Sequence, residues 1–175
     1  MSQTYVHPTT RPLKNIIFDL GGVLLDVDYN ASINAFVDLG GEDFHRVFSQ
    51  KEQKDLFDKF DTGIILPEKF RNGIRELISN NISNEQIDNA WNAMLGEYRK
   101  ESVKFLKELK KSYRLFLLSN TNAIHFPHID NAIKKIGYDS ISQLLEKDYY
   151  SHLIHARKPD AEAFLYVLGD SGLNA

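Results

Sequence analysis

Along the chain, short continuous runs of apolar residues are followed by stretches in which apolar residues recur at helical spacing. This order indicates an α/β fold. The runs Asn15–Phe18 and Leu115–Leu118 predict buried parallel strands, because strands covered on both faces are continuously apolar. A weaker third candidate strand is Asp148–Ser151. Helix-spaced apolar residues separate these runs, so the pattern predicts a parallel sheet with crossover helices.

The region between the first two strands predicts an all-helical insertion. Its apolar residues recur at helical spacing, at Ile33, Phe36 and Val37, at Phe44, Val47 and Phe48, and at Phe70, Ile74, Leu77 and Ile78. Leu66-Pro67 opens one helix, and a capping box of Ser83 and Gln86 precedes another that runs through Ile87, Trp91 and Leu95. We therefore expect a core at 13–27 and 99–175, an insertion at 28–98 and a loose tail at 1–12.

The C-terminal end of the pattern predicts an incomplete core. The final helix, Pro159–Leu168, is followed by no further strand. Three parallel strands make a thin sheet, and the first strand of such folds usually lies centrally with strands on both sides. We therefore expect a truncated sheet whose first strand has an open edge, which would favour a homodimer through that edge.

Composition narrows the functional classes. The 175 residues carry a formal net charge of −3, which gives no attraction for nucleic acid or an anionic membrane. Cysteine is absent, so disulfides and thiolate chemistry are excluded. No apolar stretch is long enough to span a membrane, and the first twelve residues lack the apolar segment of a signal peptide. We expect a cytoplasmic protein that binds neither nucleic acid nor membranes.

Polar residues follow the predicted strands where ligands of parallel sheets usually bind. Asp19 ends the first run, Ser119-Asn120 ends the second, and Lys158 follows the third. A carboxylate can attack phosphorus, a hydroxyl and an amide can hold phosphoryl oxygens, and an ammonium can offset negative charge. Gly21 and Gly22 allow a phosphate or a metal to approach the backbone. These residue types suit phosphoryl transfer.

Three segments carry a resemblance to a known family. NIIFDLGGVLLD, LFLLSNTN and SHLIHARKPD resemble the first three motifs of haloacid dehalogenase-like (HAD) hydrolases, and FDTGIILPEKF and WNAMLGEY resemble the helical cap of the phosphatases among them. The resemblance implies a Rossmann-like core, a helical cap, and Mg²⁺-dependent hydrolysis of a small phosphorylated metabolite through an aspartyl phosphate.

The resemblance also implies roles for single residues. Asp19 would be the nucleophile and a Mg²⁺ ligand, and Gly21 would give a backbone carbonyl to the metal. Ser119, Asn120 and Gly22 would bind the phosphoryl group of the substrate, and Lys158 would stabilise charge during catalysis.

The chain departs from the family pattern at three points. Gly21 stands where many members have a second aspartate that acts as general acid and base, a contribution of roughly 10²- to 10⁴-fold. The fourth motif, an acidic pair that completes the Mg²⁺ site, is absent. His155 stands in a turn where relatives tend to have glycine. We therefore expect slow turnover and weak metal binding.

Other residues and other functions compete with this interpretation. Asp26 and Asp28 are better explained as loop acids than as metal ligands. The pairs His125/His128 and His152/His155 are not accompanied by further zinc ligands. Trp91 and Met94 are better explained as core packing residues. One alternative function is a non-catalytic phosphate-binding module of the same fold. Another is a haloacid dehalogenase in which Asp19 attacks carbon.

Overall fold

The computed structural model describes residues 13–41, 44, 55–78 and 81–173. The predicted tail at 1–12 and the apolar positions Val47 and Phe48 lie outside these residues. Within the described ranges, a parallel sheet is combined with helices, and the predicted α/β class is confirmed.

The core of the fold is a parallel sheet of three described strands. The strands of the described chain are β1 Asn15–Phe18, β2 Leu25–Val27, β3 Leu95–Tyr98, β4 Arg114–Ser119 and β5 Lys147–Tyr150. β4 lies between β1 and β5 and pairs in parallel with both, so that Phe18 is opposite Leu117 and Ser119 is opposite Tyr150. β5 begins one residue before the predicted third strand.

Helices pack on both faces of the sheet. The described α-helices are α1 Tyr29–Asp38, α2 Asp55–Asp61, α3 Pro67–Leu77, α4 Asn84–Asn92, α5 Lys100–Leu109, α6 His125–Lys134, α7 Ser151–Ile154 and α8 Ala161–Ser171, with a 3₁₀ turn at Ile141–Leu144. α1 to α4 lie between β2 and β3, and we call them the helical insertion. None of the described helices is both long and apolar enough to cross a membrane.

Local sequence signals place the starts of two helices in the insertion correctly. Leu66 is the N-cap of α3 and Pro67 occupies its first turn, where the missing N–H costs nothing. Ser83 and Gln86 form the reciprocal capping box that precedes α4. Both signals depend only on residues that are close in the sequence, which explains why the sequence reveals them.

The helix predicted to run through Leu95 is wrong at its end. α4 stops at Asn92, and Leu95–Tyr98 instead pairs antiparallel with β2, with Leu25 opposite Tyr98. A Cβ at Gly96 would lie 2.9 Å from the Cβ of Asp26, so only glycine fits this close pairing. Long-range strand pairing therefore overrides the local helical pattern.

Buried apolar side chains form separate clusters in the core and in the insertion. The core cluster includes Leu20, Leu106, Leu117 and Ile133. The insertion has its own cluster of aromatic side chains, in which Phe57 lies 5.4 Å and Phe70 lies 5.2 Å from the ring centre of Trp91. The boundaries at 28 and 98 stay a prediction, although the core and the insertion each have an apolar cluster of their own.

The sheet has an open side at β1. In the described ranges, β1 pairs with β4 alone, so its other edge carries no strand. This arrangement agrees with the expected open edge. The homodimer expected from it stays a prediction.

Two turns with left-handed backbone bring the insertion against the core. Gly63, after α2, has a φ of 67°, and a Cβ there would overlap the carbonyl oxygen of His152. His155 has a φ of 55°, and its Nδ1 lies 2.9 Å from the carbonyl oxygen of Thr62. Glycine adopts this left-handed conformation at the least cost, which fits the glycine that the family resemblance led us to expect at position 155.

We expect Gly63→Ala to destabilise the chain more than a positive φ alone explains. Alanine at a left-handed position costs about 1 kcal/mol, and displacing the backbone of His152 should add roughly 2 kcal/mol. Gly172→Ala is the matched control, because its φ is 63° and no atom lies within 4 Å of the added Cβ. Urea denaturation of both variants measures the difference, and equal losses of stability would show that the insertion does not depend on this contact.

Candidate active site

The loop after β1 holds Asp19 at the carboxyl edge of the sheet. Its Oδ1 accepts a hydrogen bond of 2.7 Å from the N–H of Leu20, whose side chain is buried. Gly22 has a φ of 74°, its N–H donates to the carbonyl of Leu25, and its carbonyl accepts from Arg99, both at 2.8 Å. The turn thereby fixes the direction in which the chain leaves β1.

The two glycines of this loop differ in their surroundings. Gly21 lines the cavity described below, whereas Gly22 does not, and both backbone groups of Gly22 are already hydrogen-bonded, to Leu25 and to Arg99. The predicted role of Gly22 in substrate binding therefore gains no support from its position. A Cβ at Gly21 would lie 3.2 Å from Cγ2 of Val27, so a side chain fits there only if Val27 shifts.

The end of β4 supplies Ser119 and Asn120. Ser119 is buried, and its Oγ lies 3.4 Å from the carbonyl oxygen of Asn120. The side chain of Asn120 forms two hydrogen bonds with the backbone of Lys158: Nδ2 donates to the carbonyl at 2.8 Å, and Oδ1 accepts from the N–H at 2.9 Å. Its amide group thus positions Lys158, a function that the sequence analysis missed.

Lys158 joins the third strand end to the first. Its Nζ lies 2.7 Å from Oδ1 of Asp19, and its side chain is 20% exposed against 46% for Asp19. The structure therefore brings Asp19, Ser119, Asn120 and Lys158 together, although 139 positions separate the first from the last. Their roles in binding and catalysis stay predictions.

A cavity of about 510 Å³ opens between the sheet edge and the helical insertion. Ser119, Asn120 and Lys158 line it on the core side, and Trp91 and Met94 line it from the insertion. The volume lies within the range of small-molecule sites. Trp91 and Met94, predicted as packing residues, belong to the core of the insertion and also form part of the cavity wall.

Asp61 is a buried carboxyl at this cavity that the sequence analysis missed. It ends α2, its Oδ1 accepts a hydrogen bond of 3.0 Å from Nδ2 of Asn122, and its Oδ2 lies 4.0 Å from Nη2 of Arg157. Burial raises the pKa of Asp61 from 3.8 to about 6, against the lowering effects of Asn122 and Arg157. Asp61 lies four residues after buried Phe57, and a charged residue on a buried helical stripe is the signal that could have found it.

His125 is a second buried titratable group at the cavity. Its Nδ1 lies 2.8 Å from Oδ1 of Asn92, and its ring stacks on Trp91 with 4.9 Å between centres. Burial, with a smaller effect from the charge of His128, lowers the pKa of His125 to about 3. The imidazole is therefore neutral at neutral pH and acts as a packed hydrogen-bonding group.

Asp26 and Asp28 take part in contacts away from the cavity. Asp26 pairs with Arg99 at 2.6 Å, and Asp28 caps α1 by accepting from the N–H of Asn30 at 3.0 Å. Across the described ranges, no three His, Asp or Glu side chains lie close enough to hold a metal ion together.

The groups near Asp19 fit a Mg²⁺ ion that obtains most of its ligands from elsewhere. Mg²⁺ usually keeps several waters and is bound through one or two carboxylates together with phosphate oxygens. Gly21 lines the cavity, and the Asp19 carboxylate, on the same loop, contacts Lys158 of the cavity wall. One carboxylate and one carbonyl suit a metal that is shared with a phosphorylated ligand.

Comparison with known proteins gives relatives over most of the chain. No family model matches the sequence. The chain is 28% identical, over 91% of its length and 77% of the relative, to D-ribitol-5-phosphate phosphatase of Bacteroides thetaiotaomicron. A HAD family enzyme from the same organism, solved as a mutant with magnesium and inorganic phosphate, has a TM-score of 0.87 at 33% identity, with 93% of this chain and 81% of that chain covered.

Two further structures bear on the fold. A predicted HAD-like hydrolase from Porphyromonas gingivalis has a TM-score of 0.82 at 30% identity, covering 93% of this chain and 78% of that chain. An L-2-haloacid dehalogenase from Xanthobacter autotrophicus has a TM-score of 0.60 at 17% identity, covering 93% of this chain and 66% of that chain. The similarity to the dehalogenase supports a shared fold and nothing further.

We expect Asp61→Asn to gain stability relative to the parent chain as pH rises. A carboxyl whose pKa is raised to about 6 in the folded state stabilises the fold below its unfolded value of 3.8, and this contribution is lost as pH rises through about 6. The difference in unfolding free energy between Asp61→Asn and the parent should therefore increase by roughly 1 kcal/mol between about pH 5 and pH 8.

Urea denaturation at several pH values measures that difference. Asp55→Asn is the control, because Asp55 lies on the same helix and its exposed carboxylate pairs with Lys59. Subtracting its curve removes the general effect of losing a paired carboxylate from this helix. A difference for Asp61→Asn that does not change with pH would contradict the assignment of a raised pKa.

Proposed function

Because this chain belongs to the haloacid dehalogenase-like (HAD) superfamily, we propose that it hydrolyses the phosphate monoester of a small metabolite through an aspartyl phosphate on Asp19. The observation that carries this proposal is the 2.7 Å contact between Asp19 and Lys158, with Ser119 beside them at the carboxyl edge of β1, β4 and β5. The proposal also agrees with the relatives, one of which is named a phosphatase and one of which was solved with magnesium and phosphate.

The chemistry begins with attack of an Asp19 oxygen on phosphorus. The new oxygen–phosphorus bond forms as the bond to the leaving oxygen breaks, which leaves an acyl phosphate on Asp19. Lys158 offsets the negative charge of the carboxylate and of the transferring group, and the Ser119 hydroxyl donates to a phosphoryl oxygen. Water then attacks the phosphorus, releases inorganic phosphate and restores the carboxylate.

The two hydrogen bonds from Asn120 to the Lys158 backbone support this geometry. Lys158 lies in the short connection between α7 and α8, and loop residues hold a charged side chain accurately only when their backbone is fixed. Asn120 supplies that restraint directly from the end of β4. The ammonium is thereby held beside Asp19 before a substrate binds, which avoids an ordering cost during the reaction.

Asp19 and the carbonyl of Gly21 would hold the Mg²⁺ ion. When bound, the ion neutralises charge on the phosphoryl oxygens. Since Gly21 carries no acid, the leaving oxygen takes its proton from water, and substrates with good leaving groups should react fastest.

The substrate we propose is a monophosphate of a small sugar or polyol. The relative named D-ribitol-5-phosphate phosphatase supports this class. A cavity of about 510 Å³ has room for a five-carbon chain and its phosphate.

We expect Asp19→Asn to abolish metal-dependent hydrolysis of para-nitrophenyl phosphate. An amide is a poor nucleophile towards phosphorus, so kcat/KM should fall by more than about 10³-fold. Asp26→Asn is the matched control: it neutralises an exposed acid seven positions away that pairs with Arg99. Its kcat/KM should stay within about twofold of the parent value.

Turnover is followed as release of para-nitrophenolate, with and without Mg²⁺, at equal protein concentration. Retained hydrolysis in Asp19→Asn would refute the role of Asp19. Binding of phosphate without turnover by the parent chain would instead identify a non-catalytic phosphate-binding module, and metal-independent release of halide from a 2-haloacid would identify a dehalogenase.

A further inference from the structure

Several polar side chains line the active-site cavity without a part in the hydrolytic step. We call three of them, Asp61, Thr121 and Arg157, the polar trio. Asp61 ends α2 of the insertion, Thr121 follows β4, and Arg157 precedes Lys158 in the core. The trio therefore contains residues of both the insertion and the core.

Two buried atoms of the trio have no protein partner in the described part of the chain. Thr121 is 3% exposed, and its Oγ1 forms no hydrogen bond, while its N–H and C=O both bond to Oγ of Ser151 at 2.9 Å. The Nε of Arg157 is likewise buried without a hydrogen-bond acceptor. Unpaired buried polar atoms cost stability, so a ligand that supplies their partners gains affinity from them.

The charges of the trio and its neighbours leave no free cation for a second anionic group. The guanidinium of Arg157 pairs with the carboxylate of Asp58 and lies 4.0 Å from that of Asp61. Two carboxylates thus face one guanidinium. The local net charge is therefore negative, and it would repel a second phosphate or a carboxylate on the substrate.

Part of the cavity wall is apolar. Trp91, Met94 and Leu95 line the same cavity. These side chains suit the C–H surface of a carbon chain, whereas the trio offers acceptors at Asp61 and Thr121 and a donor at Arg157. A hydroxyl group both donates and accepts, so a chain of hydroxyl-bearing carbons matches this mixture.

We propose that the polar trio binds the hydroxyl groups of the substrate and selects monophosphates of uncharged polyols over monophosphates that carry a second anionic group. The inference rests on the proposed phosphatase function and assigns its specificity. Substrate hydroxyls donate to Thr121 Oγ1 and to the Asp61 carboxylate and accept from Arg157 Nε–H. Asn122 positions the Asp61 carboxylate through its 3.0 Å hydrogen bond.

The test compares two substrates that differ in hydroxyl groups. D-ribitol 5-phosphate carries a hydroxylated chain, and para-nitrophenyl phosphate carries none, so the ratio of their kcat/KM values isolates the contribution of hydroxyl binding. Thr121→Val should lower this ratio by about fivefold and Asp61→Asn by more than about tenfold, the values of a neutral and a charged hydrogen bond. Asp55→Asn, whose residue pairs with Lys59 and does not line the cavity, is the control and should leave the ratio within about twofold.

Thr121→Val makes the test sharp because it removes a hydroxyl that has no protein partner. The substitution keeps the shape of the side chain and breaks no described hydrogen bond of that hydroxyl, so the fold should persist. A second arm uses 5-phospho-D-ribonate, in which a carboxylate replaces the terminal CH₂OH group of the same chain. The parent should favour ribitol 5-phosphate over it by at least about tenfold, and Asp61→Asn should narrow that preference.

The outcomes separate this inference from the phosphatase proposal. An unchanged ratio in both Thr121→Val and Asp61→Asn, with para-nitrophenyl phosphate still hydrolysed, overturns the polar trio and leaves the phosphatase function in place. If the parent hydrolyses neither substrate, calorimetric titration of ribitol 5-phosphate into the parent and into Thr121→Val decides: binding weakened about fivefold by the substitution supports the trio, and equal binding or none overturns it.

Discussion

The parallel pairing of β4 on both sides is the constraint on which the rest of the structure depends. Its residues from Leu115 to Ser119 are at most 2% exposed, so all of its backbone groups must be paired within the sheet. The registers with β1 and β5 then fix where each strand ends. Asp19, Ser119 and the loop that reaches Lys158 consequently emerge at one edge, and the side chain of Asn120 ties the last of them in place.

The sequence reveals the parts of the molecule that local patterns determine. A continuous apolar run ending in polar residues identifies β1 and β4, and capping signals identify the starts of α3 and α4. The convergence of Asp19, Ser119 and Lys158 follows from the rule that parallel strands deliver ligand-binding groups to one edge.

Features that depend on long-range contacts escape such patterns. Leu95 continues a helical stripe in the sequence, yet its pairing with β2 places it in a strand. From the sequence, Asp61 cannot be told from a surface acid, because its hydrogen-bond partner Asn122 lies 61 positions later. The sequence predicts the amide of Asn120 as a phosphate ligand, because it does not reveal the two hydrogen bonds to the backbone of Lys158. Each case requires knowledge of which distant segment lies opposite.

The cavity also explains why polar groups are buried in a chain that is stabilised by apolar contacts. Asp61 and His125 are both removed from water, and in each case burial disfavours the charged form. Apolar residues at these positions would pack more favourably with the aromatic cluster of the insertion. Retaining a carboxyl and an imidazole there lowers stability in favour of a wall that can form hydrogen bonds, a compromise common at binding sites.

The ribbon formed by β2 and β3 has a consequence for how the molecule could change over evolution. Leu25, near the exit from the core, lies opposite Tyr98, at the return, so the two ends of the helical insertion meet. An insertion with adjacent ends leaves the threading of the host sheet untouched, and its length adds little to the entropy of closing the connection. Lineages could therefore exchange or remodel this segment, and with it the wall that faces the substrate, while the catalytic edge is inherited unchanged.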